Sequence, residues 1–178
     1  MLQMGGINVK RLILCFVYFL EIIICFVIQS STFHYVALAG IMPNLILILI
    51  VTTAYMRGRM EGMGIGFFSG LLMDLMFGSI IGLYALLYMV IGYTAGFTNK
   101  IYSNDDYTFP ILFVGAGDFI YEFLYYVFEF LLRGRLDFLY YLRRLIIPEL
   151  IYTVAVSVFL YKLLHLFNNY IYRKLEEV

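Results

Sequence analysis

Charge is what this sequence has least of. Only 13% of its 178 residues are charged, against 63% hydrophobic, and the mean hydropathy is +0.92. A soluble domain carries roughly 25% charged residues. A chain this poor in charge cannot cover a folded surface in water, so lipid must solvate much of it. Tryptophan is absent, which leaves the 17 tyrosines to supply most of the aromatic belt at the membrane interfaces. Acidic and basic residues balance at 12 each, which speaks against nucleic acid as a partner, because phosphate binding needs a basic surface. The two cysteines, Cys15 and Cys25, sit in one apolar run without metal-ligand spacing and read as small hydrophobes.

The chemistry-bearing residues are equally sparse. His34 falls in an outer loop and His165 at the inner end of the last apolar run. They cannot share a site across ~30 Å of hydrocarbon. No HExxH pair, Walker-type loop or nucleophile elbow occurs. Asp74 follows Met73, and Gly117-Asp118 has no Gly-Leu after it, so neither aspartate sits in a membrane aspartyl protease frame. The chain reads as a non-enzyme with no cofactor motif and no metal-ligand set.

What is present is a series of apolar runs. At ~20 residues per crossing and with short loops, the chain has room for an all-α bundle of six transmembrane helices in one domain. They are expected over 12–28, 42–56, 62–77, 80–97, 109–132 and 145–167. The second is short for a span, and Pro43 suits its first turn. Lys10 and Arg11 precede the first run as in a signal peptide, but its length and Glu21 in its middle favour a retained span. Lys10, Arg11, Arg57, Arg59, Lys100, Arg173 and Lys174 put both termini in the cytoplasm by the positive-inside rule. Arg133, Arg135, Arg143 and Arg144 break that rule, since six crossings place them outside. The leucines and aromatics among them point to an amphipathic helix on the outer leaflet. A five-span arrangement would bring this loop inside, at the cost of one segment failing to cross.

Two patterns need explaining. Gly62, Gly66, Gly70, Asp74 and Gly78 are spaced four apart along one ridge of the third helix. Small residues at that spacing let backbones approach closely in lipid, either within the chain or against a partner's helix. Gly92 and Gly96 form a second such pair on the fourth helix. The other pattern is acid inside apolar runs: Glu21, Asp74, Asp118, Glu122, Glu129 and Glu149. An unpaired charge at mid-bilayer costs roughly 2.5–3.5 kcal/mol even on the lenient insertion scale, so these side chains must face the bundle interior, be protonated or reach a basic partner. Asp118, Glu122, Tyr125 and Glu129 share one stripe of the fifth helix, and Glu129 stands one turn before Arg133. With Asp74 and Glu149 they are placed to line one polar cavity in the outer half of the bilayer. That cavity would serve as a structural network, a docking pocket, or a path for protons or a small molecule.

Several segments carry a resemblance. Pro43-Asn44-Leu45-Ile46-Leu47, Arg57-Gly58, Gly66-Phe67, Gly70-Leu71-Leu72-Met73-Asp74-Leu75, Gly78, Gly82-Leu83-Tyr84-Ala85 and Ile91-Gly92-Tyr93 follow in order, and Pro148-Glu149-Leu150-Ile151-Tyr152-Thr153 comes near the end. Together they resemble the MreD family of rod shape-determining proteins over nearly the whole chain. Met73 departs from the glutamine frequent in that family, and Asp118 and Glu122 match none of its motifs. The resemblance implies a fold similar to the S-components of energy-coupling-factor vitamin transporters, no catalytic activity, and residence in the bacterial plasma membrane. It implies MreC as partner, with MreB, RodA and a class B penicillin-binding protein in a larger assembly that directs sidewall peptidoglycan synthesis. The glycine ridge and the acidic cavity are where MreC contact is expected. The other function in view is an S-component that binds a vitamin. The bulky, alanine-free first helix speaks against it, while Tyr84, Tyr121 and Tyr125 are residues such a site would use.

Overall fold

A computed structural model describes residues 2–31, 41–78, 80–101, 108–129 and 138–176, with side chains from residue 12 onward. These residues are helical almost throughout: α1 (Leu2–Ser31), α2 (Leu45–Arg57), α3 (Arg59–Phe77), α4 (Leu83–Ala95) with a 3-10 extension (Gly96–Ile101), α5 (Thr108–Glu129), α6 (Phe138–Tyr141), a wide π turn (Leu142–Ile146) and α7 (Ile147–Glu176). Four stretches are long and apolar enough to cross a membrane: Leu12–Ser30, Arg59–Phe77, Thr108–Glu129 and Phe138–Ile171. The other two expected segments form α2 and α4, with 13 residues each.

The architecture is organised around α2. It touches α1, α3, α4, α5 and α7, and every residue from Ile46 to Tyr55 is buried. Its sequence, Leu-Ile-Leu-Ile-Leu-Ile-Val, is apolar on all sides, as a helix with no lipid-facing or water-facing surface should be. Thirteen residues at ~1.5 Å each make a rod of about 20 Å, well short of a ~30 Å hydrocarbon core. The second segment is expected from residue 42 with Pro43 in its first turn. Instead, Met42 and Pro43 lie outside the helix and Asn44 caps its start. The helix needs no extra length because protein rather than lipid surrounds it.

The α3–α4 pair is the tightest packing in the molecule. A Cβ added at Gly62 would sit 2.6 Å from the Gly92 carbonyl, and one at Gly70 would sit 2.5 Å from Ala85 Cα. Gly66 lies against the backbone of Tyr88, and Gly96 against that of Arg59. Only glycine permits such approach, which in lipid substitutes for the absent hydrophobic drive between helices. A single residue, Gly58, joins α2 to α3 at a positive φ of 103° that other residues adopt only under strain.

Of the outer amphipathic helix expected within 133–144, residues 133–137 lie outside the described ones. From Phe138 the chain runs without a break into α7. Pro148 explains the π turn before it. Its ring would clash with the carbonyl four residues back, and a widened turn relieves that clash. The turn sends Arg143 and Arg144 outward while Tyr141 and Ile146 point in. Arg144 donates to the Tyr140 hydroxyl at 2.8 Å.

Candidate functional site

A helix shorter than the bilayer leaves its terminal amides and carbonyls at hydrocarbon depth, where each must find a partner inside the protein. At the first end of α2, Asn44 supplies most of the answer. Its Oδ1 accepts the Leu47 amide at 3.1 Å, and the Tyr88 hydroxyl donates to the same oxygen at 3.1 Å. The Asn44 amide donates to Thr153 Oγ1 at 3.1 Å, and the Ile46 amide to Gln29 Oε1 at 3.1 Å. Residues from α1, α4 and α7 thus converge on one helix start.

Around this knot lie three carboxyls. Asp118 is wholly buried beside the Asn44 amide and the Thr153 hydroxyl, yet neither of its oxygens closes a hydrogen bond. Glu122, one turn on, is buried with Glu149 and Tyr141 beside its carboxyl. Glu149, in the first turn of α7, is half-buried. A tyrosine wall closes the other side: Tyr88 stacks on Tyr121 at 5.0 Å, and Tyr84 lies 5.5 Å from Tyr125 and 6.3 Å from Tyr121.

Two of the expected cavity acids stand elsewhere. Asp74 bears on none of the three carboxyls. Both its oxygens are taken by α4, one by the Tyr84 amide at 3.0 Å and the other by the Ala85 amide at 2.9 Å. It caps a helix whose own N-cap, Gly82, has no side chain for the task. Glu129 ends α5 half-buried, two turns beyond Glu122, and Arg133, its expected partner, lies outside the described residues. Gly62, Gly66 and Gly70 meet α4, so a partner's helix cannot reach them. Gly78 stops α3, its amide bonded to the Asp74 carbonyl at 3.0 Å.

The other end of α2 has its own polar cluster. Arg57 Nη2 donates to Asn168 Oδ1 at 2.7 Å, and Asn99 donates to the Tyr55 carbonyl at 2.9 Å. Glu21, buried in α1 without a closed hydrogen bond, lies within the field of Arg57. The Tyr18 hydroxyl donates to Glu61 at 2.8 Å. Beside this pair an apolar groove of about 590 Å³ runs between α1 and α3, past Leu14, Ile22, Gly64 and Phe68. His165 is buried against Tyr161 in the same half of the bundle, and His34 lies outside the described residues.

The model of the family described as rod shape-determining protein MreD matches residues 10–171. The chain belongs to the MreD family. No curated protein and no solved structure matches it. A match over almost the full length makes this a shape-determining membrane protein rather than a member of a known enzyme family. It also makes the polar knot on α2 part of the architecture of an MreD chain. Sequence reasoning picked out Asp118, Glu122 and Glu149 but missed Tyr88 and Tyr141, and Thr153 and Asn44 entered only as parts of motifs. Asn44 carried a signal, because an asparagine directly before an apolar run is a helix-start residue. The other three carried none, since only tertiary packing brings them to the site.

Proposed function

We propose that this chain is a non-enzymatic component of the bacterial cell-elongation machinery, a single domain crossing the plasma membrane six times and acting with MreC in sidewall peptidoglycan synthesis. The family match over residues 10–171 carries the reading. The helix directions support six crossings. The pairs Asn44–Thr153 and Arg57–Asn168 make α2 and α7 parallel, and the glycine contacts make α3 and α4 antiparallel. Lys10, Arg11, Arg57, Arg59, Lys100, Arg173 and Lys174 then gather on the cytoplasmic side with both termini. Arg143 and Arg144 lie outside, exposed to water and headgroups. Five helices around a buried sixth would give the bundle an S-component-like form. MreB, RodA and a class B penicillin-binding protein complete the assembly in this reading.

The test is complementation. A rod-shaped host depleted of its own family member rounds up. Expression of this chain should restore rods, and affinity capture of it should bring down MreC. Cells that stay round at normal membrane levels of the chain contradict the reading. Unchanged shape on depletion, with impaired vitamin uptake, would assign a transport role instead.

A further inference from the structure

We propose that the carboxyl cluster at the Asn44 end of α2 is a binding site for an organic cation, an ammonium or guanidinium group admitted past Glu149. Asp118 is the first reason. It is fully buried, both its oxygens are without a closed hydrogen bond, and it shares its surroundings with two further carboxyls. A buried polar group left in that state calls for a ligand or a water to meet it.

The second reason is that no basic side chain among the described residues bears on Asp118, Glu122 or Glu149. What faces them is neutral: Asn44 from α2, Tyr88 from α4, Tyr121 from α5, Tyr141 from α6 and Thr153 from α7. Arg143 and Arg144 are near in the chain, but both are exposed, and Arg144 is bonded to Tyr140.

The wall supplies the third reason. Tyr88 and Tyr125 stack on Tyr121 with Tyr84 tilted against them, and tyrosine faces attract cations that shed water readily, as organic ammonium and guanidinium groups do. A metal ion fits worse. Among the described residues no group of three His, Cys, Asp or Glu side chains is placed to hold one. Glu149 is the half-buried member of the cluster and Asp118 the enclosed one, so Glu149 is the carboxyl a cation meets first.

The cation could be free in solution or carried on a partner's lysine or arginine. The free case stands on the geometry alone, and the partner-borne case rests also on the cell-elongation reading. The purified chain in lipid nanodiscs is heated with n-butylammonium or agmatine at ionic strength held constant with NaCl. A free-cation site predicts a saturable rise of roughly 2–4 °C in the unfolding midpoint. It also predicts loss of a carboxylic-acid C=O band in the infrared difference spectrum. NaCl alone should give neither effect, and the Asp118→Asn, Glu122→Gln, Glu149→Gln variant should show neither. For the partner-borne source, a photo-cross-linking residue replaces Tyr125 and MreC is co-expressed. An adduct that disappears when the lysines and arginines flanking MreC's span become glutamine supports it. No amine response together with no such charge-dependent adduct overturns the proposal, leaving shared protons as the carboxyls' only company. Amine binding with cells that remain round would keep the site and reject the cell-elongation role.

Discussion

The two ends of α2 face the same problem and meet it differently. Each end gathers side chains from neighbouring helices to satisfy its backbone. The Arg57 end carries its own cation. Arg57 is held by Asn168 and lies within range of Glu21. The Asn44 end gathers three carboxyls, and no base among the described residues bears on them. Capping a short helix therefore does not account for these acids, since Asn44, Thr153, Gln29 and Tyr88 already perform that task. What is left over at the Asn44 end is the part of the molecule to which we assign a ligand.

The largest effect should come from the frame that holds both ends. Gly66→Leu drives a side chain into the Tyr88 backbone. Folded, monodisperse protein should be lost on detergent size exclusion, so this variant reports packing and not partner binding. If Gly66→Leu folds normally, α3 and α4 do not pack as described. Next, Arg57→Met removes the hydrogen bond to Asn168 and the cation whose field reaches the buried Glu21. The cost should lie near the lower end of the roughly 1.5–3 kcal/mol of a hydrogen bond to a charged group, because Arg57 is half-buried. Adding Glu21→Gln should recover part of it. A double variant no more stable than the single one would mean that Glu21 does not feel Arg57.

Smaller effects sharpen the contrast between spent and unspent acids. Asp74→Ala removes a charged acceptor from two buried amides, with an expected loss of about 1–3 kcal/mol in nanodisc unfolding. Asn44→Ala should cost about 0.5–2 kcal/mol through the helix cap. Asp118→Asn should lie within about 0.5 kcal/mol of the parent, since the carboxyl closes no hydrogen bond that the amide would lose. A drop as large as that of Asp74→Ala would make Asp118 a structural acid too.

The sequence made the helical class and the position of each apolar segment legible, because composition and run length decide both in a membrane. It showed α2 as a short segment but not why it is short, since complete burial is a property of five neighbours rather than of residues 45–57. Asp118 and Glu122 share a helix face by spacing alone, and the packing of α7 sets Glu149 beside them. Glu129 followed the same spacing, yet it stands two turns farther along, where α5 leaves the knot. Asp74 looked like a cavity acid because nothing local reveals a cap given to another helix. That role exists only once the glycine ridge sets the register between α3 and α4. Tyr88 and Thr153 were illegible for the same reason.

Cell shape under the Asp118→Asn, Glu122→Gln, Glu149→Gln variant tests the central contrast most directly, in a rod-shaped host depleted of its own family member and with the chain's membrane level matched to the parent. The account predicts a stable, normally inserted protein that leaves cells round. Rods restored by that variant would show that the outer carboxyls serve the fold alone.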